Sequence, residues 1–181
     1  MNLPLNLFYR LLSPRLSVII SSGSGLGSFC AATHSFLMPA SLDPPLLAFA
    51  AAKGKETLDN VRENGEFVVN LPTAGIAREL WACAKKPPRN REELVVAGLS
   101  TAPSAKVAVP RIKECCGWLE CKKVDEVDAG DHSIVVGEIL AAEVDETLLD
   151  EKGSLRVPAP GALMHVTGAV FMLQGRMIRM E

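Results

Sequence analysis

Short apolar, β-branched runs recur along this chain, and each is closed by a turn signal after only a few residues. Leu16–Ser21 (LSVIIS) reads as a strand that ends in the turn Ser22-Gly23-Ser24-Gly25-Leu26-Gly27. A second strand is expected over Ser28–Ser35. The stretch from Pro39 to Pro45 is broken by proline and aspartate, and Leu46–Ala50 (LLAFA) has the continuous apolar character of a buried strand. Three strands therefore precede any helix, which argues against alternating strand-helix-strand units and for a barrel.

The remainder follows the same logic. Thr57–Asn64 reads as a short helix with Thr57 as its N-cap and Gly65 as its stop. Glu66–Leu71 is a strand, Ala74–Cys83 carries Ile76, Leu80 and Trp81 at helical spacing, and Glu92–Ala97 adds one more turn. Gly117–Val124 and His132–Leu140 flank a turn at Asp128–Asp131, which makes a hairpin. Glu143–Pro160 is charged and rich in Pro and Gly, a surface connection, and one or two closing strands are expected over Ala162–Ile178. No repeat or linker divides the chain, so residues 1–181 form a single domain. The fold class is mostly β with a few helices (α+β).

Composition limits the function classes. Nineteen Lys and Arg against 21 Asp and Glu leave a formal charge of −2, too balanced for a dedicated nucleic-acid binder. No apolar run approaches the roughly 20 residues of a membrane span. The N-terminus lacks the basic start and cleavage site of a signal peptide, so a cytoplasmic location and no membrane partner are expected. Cys30, Cys83, Cys115, Cys116 and Cys121 are odd in number and lack paired spacing, and they read as buried thiols, neither a disulfide framework nor a metal site.

Two motifs bear on ligands. Gly23-Ser24-Gly25-Leu26-Gly27 follows a strand, but Ser28 stands where a dinucleotide fingerprint needs its third glycine, and a strand follows in place of a helix. Ala52-Lys53-Gly54-Lys55-Glu56-Thr57 leaves a buried strand and enters a helix. It reads either as a phosphate site at a helix N-terminus or as a solvated basic loop capped by Thr57. His34, His132 and His165 are scattered in strands and read as hydrogen-bonded structural residues. No arrangement suited to hydrolysis stands out.

Five stretches in order, Ser35–Pro45 (SFLMPASLDPP), Lys53–Thr57 (KGKET), Glu66–Asn70 (EFVVN), Glu114–Cys121 (ECCGWLEC) and Ala129–Glu138 (AGDHSIVVGE), resemble the flavin reductase-like FMN-binding family, particularly its flavoredoxin branch. The likeness runs from about Phe8 to His165. It implies an FMN-binding split β-barrel, usually a homodimer, and an FMN-dependent oxidoreductase that passes reducing equivalents from NAD(P)H through FMN to an acceptor such as free flavin. The alternatives are a flavin-bearing carrier reduced by an electron-transfer protein and a non-catalytic FMN- or ligand-binding module. By the same resemblance, Cys30, Ala31, Thr33, Ser35, Phe36, Leu37 and Met38 pass beside the flavin. Lys53, Lys55 and Thr57 form the phosphate end, and Cys115 and His165 approach the ring. Two residues depart from the family's pattern: Cys30 stands where Asn is common, and Glu93 where Lys is common, exchanging a phosphate-pairing cation for an anion.

Overall fold

The computed structural model describes residues 2–23, 29–156 and 161–173. The glycine-rich turn therefore falls largely outside the described residues, as does the last part of the closing segment expected to reach Ile178.

A 3-10 helix, Leu5–Leu12, opens the chain, and five strands follow: β1 (Arg15–Leu16), β2 (Val18–Ser22), β3 (Cys30–His34), β4 (Leu37–Leu42) and β5 (Pro45–Ala52). Helix α1 (Glu56–Asn64), strand β6 (Glu66–Leu71), helices α2 (Ala77–Lys85) and α3 (Arg91–Val96) and the short strands β7 (Thr101–Ala102) and β8 (Arg111–Ile112) come next. The long hairpin β9 (Gly117–Ala129) and β10 (His132–Val144) and the pair β11 (Met164–Thr167) and β12 (Val170–Met172) complete the fold.

Seven strands form one antiparallel sheet in the order β3-β2-β6-β9-β10-β5-β4. Its two outer strands, β3 and β4, are consecutive in the chain and separated only by Ser35 and Phe36. A two-residue link between opposite edges forces the sheet to curl until those edges meet, and the protein is a split barrel. Strands β1, β11 and β12 make a small separate sheet.

Both faces of the sheet are covered, which explains the unbroken apolar runs in the sequence. Successive side chains point to opposite faces. Val18, Ile20, Phe67 and Val69 accordingly join Phe49, Val135 and α1's Leu58 and Val61 in one core, while Ile19 and Val68 join Leu80 of α2, Leu94 of α3 and Trp118 in another. Gly137 has a steric reason to be glycine, because a Cβ there would overlap the Phe67 ring.

The structure corrects several expectations. The segment Pro39–Pro45 is no break: it belongs to β4, the turn at Asp43-Pro44 and the start of β5. Proline is tolerated because β4 is an edge strand, where the missing N–H costs no ladder bond. Five strands, not three, precede α1. The hairpin is longer than predicted, since β9 continues to Ala129 and β10 to Val144. Thr57 does not cap α1. The N-cap is Lys55, and Thr57 lies buried in the first turn. The stop at Gly65 is as expected: its backbone is left-handed, and its N–H closes on the Val61 carbonyl.

Candidate functional site

Where β3 ends, the first turn of α1 and the C-terminal end of α2 enclose a cleft of about 470 Å³ together with β5. Its two ends differ in chemistry. One is cationic: Lys55 and Arg89 line it beside the N-terminus of α1, whose first amides have no partners within the helix and carry the positive end of its dipole, while the Lys85 ammonium lies 5.3 Å over the Trp81 ring. Glu56 also lines this end, and Arg89 Nε lies 3.0 Å from its carboxylate.

The rest of the lining carries the Phe36, His34 and His132 rings with Ala50 and Ala52. Phe36 is 40% exposed, with the His132 ring 5.8 Å and the Arg15 guanidinium 5.4 Å from its centroid. His34 packs edge-on against Phe49 with centroids 5.4 Å apart. Burial pushes His34 down to about 4, against the opposing influence of the Ala50 carbonyl, so this ring is neutral near pH 7.

Two thiols line the cleft, Cys30 and Cys83. Burial pushes each up to about 11; at Cys30 the Thr57 hydroxyl, 3.7 Å from Sγ, acts in the other direction. Both are thiols, not thiolates, near neutral pH, and so are poor nucleophiles.

The structure gathers six of the sequence-predicted residues along this cleft: Cys30, Thr33, Ser35, Phe36, Lys55 and Thr57. Leu37 and Met38 instead line an adjoining apolar groove of about 390 Å³ with Phe8, Tyr9 and Leu12, and Phe36 is common to both spaces. His165 borders a smaller chamber that also touches Thr33 and Ser35. Its Nδ1 lies 3.4 Å from Arg15 Nη2 and 3.3 Å from Ser35 Oγ, while Nε2 is 3.1 Å from the Gly168 carbonyl. A guanidinium only donates and a carbonyl only accepts, so the proton sits on Nε2.

Three predicted residues lie away from these spaces. Ala31 packs into the core shared with α2, on the opposite face of β3 from Cys30 and Ala32. Lys53 holds Asp128 at 2.7 Å on the β9–β10 hairpin. Cys115 is buried in the core with Trp118, where desolvation raises its pKa. Conversely, His34, His132, Lys85 and Cys83 line the cleft without having been singled out for it. Nothing in their spacing marks them, because they come from three separate elements, β3, α2 and β10.

Glu93 proves to have a local role. Asn90 caps α3 by accepting the Glu93 amide at 2.7 Å, and the Glu93 carboxylate reaches back to the Arg89 amide at 3.1 Å. This is a capping-box arrangement displaced by one residue. The anion is engaged by the backbone, and it does not line the cleft.

The fold and the cleft define a split-barrel protein whose site joins basic side chains at a helix start to a set of aromatic rings. The flavin reductase like domain matches residues 10–174, and the chain belongs to that family. An uncharacterized protein of Pyrococcus abyssi is 32% identical over 176 residues, covering 96% of this chain and 98% of its own. The crystal structure of Pseudomonas fluorescens 2-nitrobenzoate 2-nitroreductase is similar, with a TM-score of 0.85 at 29% identity over 99% of this chain and 92% of the other. The flavoredoxin of Methanosarcina acetivorans has a TM-score of 0.83 at 22% identity over 99% of this chain and 94% of its own. Among the described residues no helix is long and apolar enough to cross a membrane.

Proposed function

We propose that the cleft holds FMN and that the protein is an FMN-dependent oxidoreductase, taking reducing equivalents from NAD(P)H and delivering them to an acceptor. The observation that carries this reading is the polarity of the cleft. A phosphate end and a flat ring end are what FMN presents, and a volume of about 470 Å³ lies within the usual range for small-molecule sites.

The phosphate would be held by Lys55, Arg89 and the first amides of α1, with Arg89 exchanging its bond to Glu56 for the stronger anion. Phe36 would flank the ring, with the Arg15 guanidinium 5.4 Å from its centroid. Bound FMN supplies hydride and electron transfer, so the protein's part is to bind, orient and exclude competing chemistry. The neutral thiols at Cys30 and Cys83 suit that part, since neither offers a nucleophile to the ring. Free thiols are also at home in a reducing cytoplasm. A second copy of the chain is the occupant we assign to the apolar groove around Met38, beside which Leu5, Phe8 and Leu11 stand exposed.

The test is direct. Purified protein incubated with FMN and freed of excess should show flavin absorption, and NADH or NADPH should bleach it without oxygen. Protein that retains no flavin overturns the cofactor assignment. Retained flavin that ignores both nicotinamides but accepts electrons from a low-potential protein donor would make the chain an electron carrier. Light scattering on the same sample should give twice the mass of one chain.

A further inference from the structure

Of Lys55, Lys85 and Arg89, which line the cleft, Lys85 is turned to the Trp81 ring, so Lys55 and Arg89 are left to meet an anion. Arg89 is already engaged. Its Nε lies 3.0 Å from the carboxylate of Glu56, the first residue of α1, and both side chains line the cleft. A phosphate that reaches Arg89 therefore meets a guanidinium that is holding another anion.

The pair joins two parts of the fold that are each fixed. On one side, the Lys55 carbonyl accepts the Leu58 and Asp59 amides at 3.0 and 3.3 Å, which sets Glu56 in the first turn of a helix packed on β2 and β3. On the other, the Arg89 carbonyl accepts the Phe29 amide at 3.3 Å and the Pro88 carbonyl accepts the Ala31 amide at 3.2 Å, which stitches this segment to β3 and the residue before it. With both backbones held, a change of partner falls to the side chains, and that of Arg89 is 73% exposed against 32% for Glu56. The charges bear on the cleft lining as well: after burial and the Thr57 hydroxyl, Glu56 and Arg89 act on the Cys30 thiol with opposite signs.

An ion pair this exposed holds by a factor of about five at most. A phosphate monoester, with about two negative charges and three strong acceptor oxygens, displaces it, whereas a single carboxylate offers Arg89 no more than Glu56 does. We propose that Glu56 is a latch residue, holding Arg89 across the phosphate end of the cleft until a flavin phosphate displaces it, and so setting how tightly that phosphate is gripped. Glu56 is a positioning residue that acts through Arg89. The latch presupposes the flavin reading of the cleft and adds a built-in competitor to it: the preference for FMN over riboflavin, which lacks the phosphate, is smaller than Lys55 and Arg89 alone would give.

The experiment measures FMN and riboflavin affinity by flavin fluorescence titration for the wild type, Glu56→Gln, Arg89→Gln and the double variant. Glu56→Gln keeps the side-chain length and removes the competing charge; it should tighten FMN about fivefold and leave riboflavin unchanged. Arg89→Gln should weaken FMN about tenfold, and adding Glu56→Gln to it should recover less than about twofold, because the latch has nothing left to hold. Unchanged or weaker FMN binding by Glu56→Gln overturns the latch. So does a full gain that persists without Arg89, which makes Glu56 a plain repulsive charge, and so do equal shifts for FMN and riboflavin, which exclude the phosphate as the cause. A wild type that binds neither flavin defeats the reading of the cleft, not the latch: inorganic phosphate should then shift the Arg89 Nε–H signal in NMR at about fivefold lower concentration in Glu56→Gln than in the wild type, and equal concentrations overturn it.

Discussion

Phe36 lies 5.4 Å from a guanidinium and 5.8 Å from an imidazole ring at the point where the two edges of the sheet are joined by the chain itself. A partly exposed aromatic already held by such neighbours loses little freedom when a second ring stacks on it. Phe36→Ala should therefore weaken FMN binding about tenfold, measured by flavin fluorescence titration, with little change in melting temperature. His34 gives a second prediction. Its folded pKa lies near 4 and its ordinary value is 6.5, so the unfolded chain takes up the proton first as pH falls. The contribution of a neutral His34 is complete above pH 6.5 and is lost as pH falls from there through 4. Thermal melts across that window should show the wild type losing stability more steeply than His34→Gln.

Helix α1 carries its functional end and its terminator in its own sequence. Gly65 ends it in the left-handed conformation that a side chain would strain, and the basic Lys55 leads into its first turn. What the residues alone do not reveal is which of them faces the cleft. Thr57 resembles a cap in sequence, yet its hydroxyl turns toward Cys30 once α1 docks on β3. Helix α3 shows the reverse case. Glu93, where the resemblance implies a cation, is an anion whose carboxylate closes the helix start. Glu93→Ala should cost about 0.5–1 kcal/mol in urea denaturation and leave FMN affinity at the wild-type level. A marked gain in FMN affinity would instead show that the carboxylate repels the phosphate.

At the scale of the molecule, one close approach lets the sheet curl. Gly137 lies at an irregularity in the β9–β10 register, directly over the Phe67 ring. Gly137→Ala drives a methyl group into that ring and should destabilise the protein by about 1–3 kcal/mol. Combining it with Phe67→Leu should cost less than the sum of the two single changes, because one removes what the other strikes. Additive losses in chemical denaturation would mean that the glycine matters for its backbone freedom and not for space. The same curl brings β3 beside β5, α1 and α2, so cleft residues as far apart in the chain as Cys30 and His132 line a single space.

The alternation of apolar runs with turn signals determined a β-rich barrel, the helix after Lys55 and the hairpin at Gly130. These features are local, since periodicity, proline and glycine act over a few residues. The pairing of β3 with β2 and of β4 with β5 at opposite edges, the loss of Lys53 to Asp128, the burial of Cys115, and the entry of His34, His132 and Arg89 into the cleft were decided by the tertiary structure. Each depends on which distant surface a side chain meets, and only the closing of the sheet fixes that.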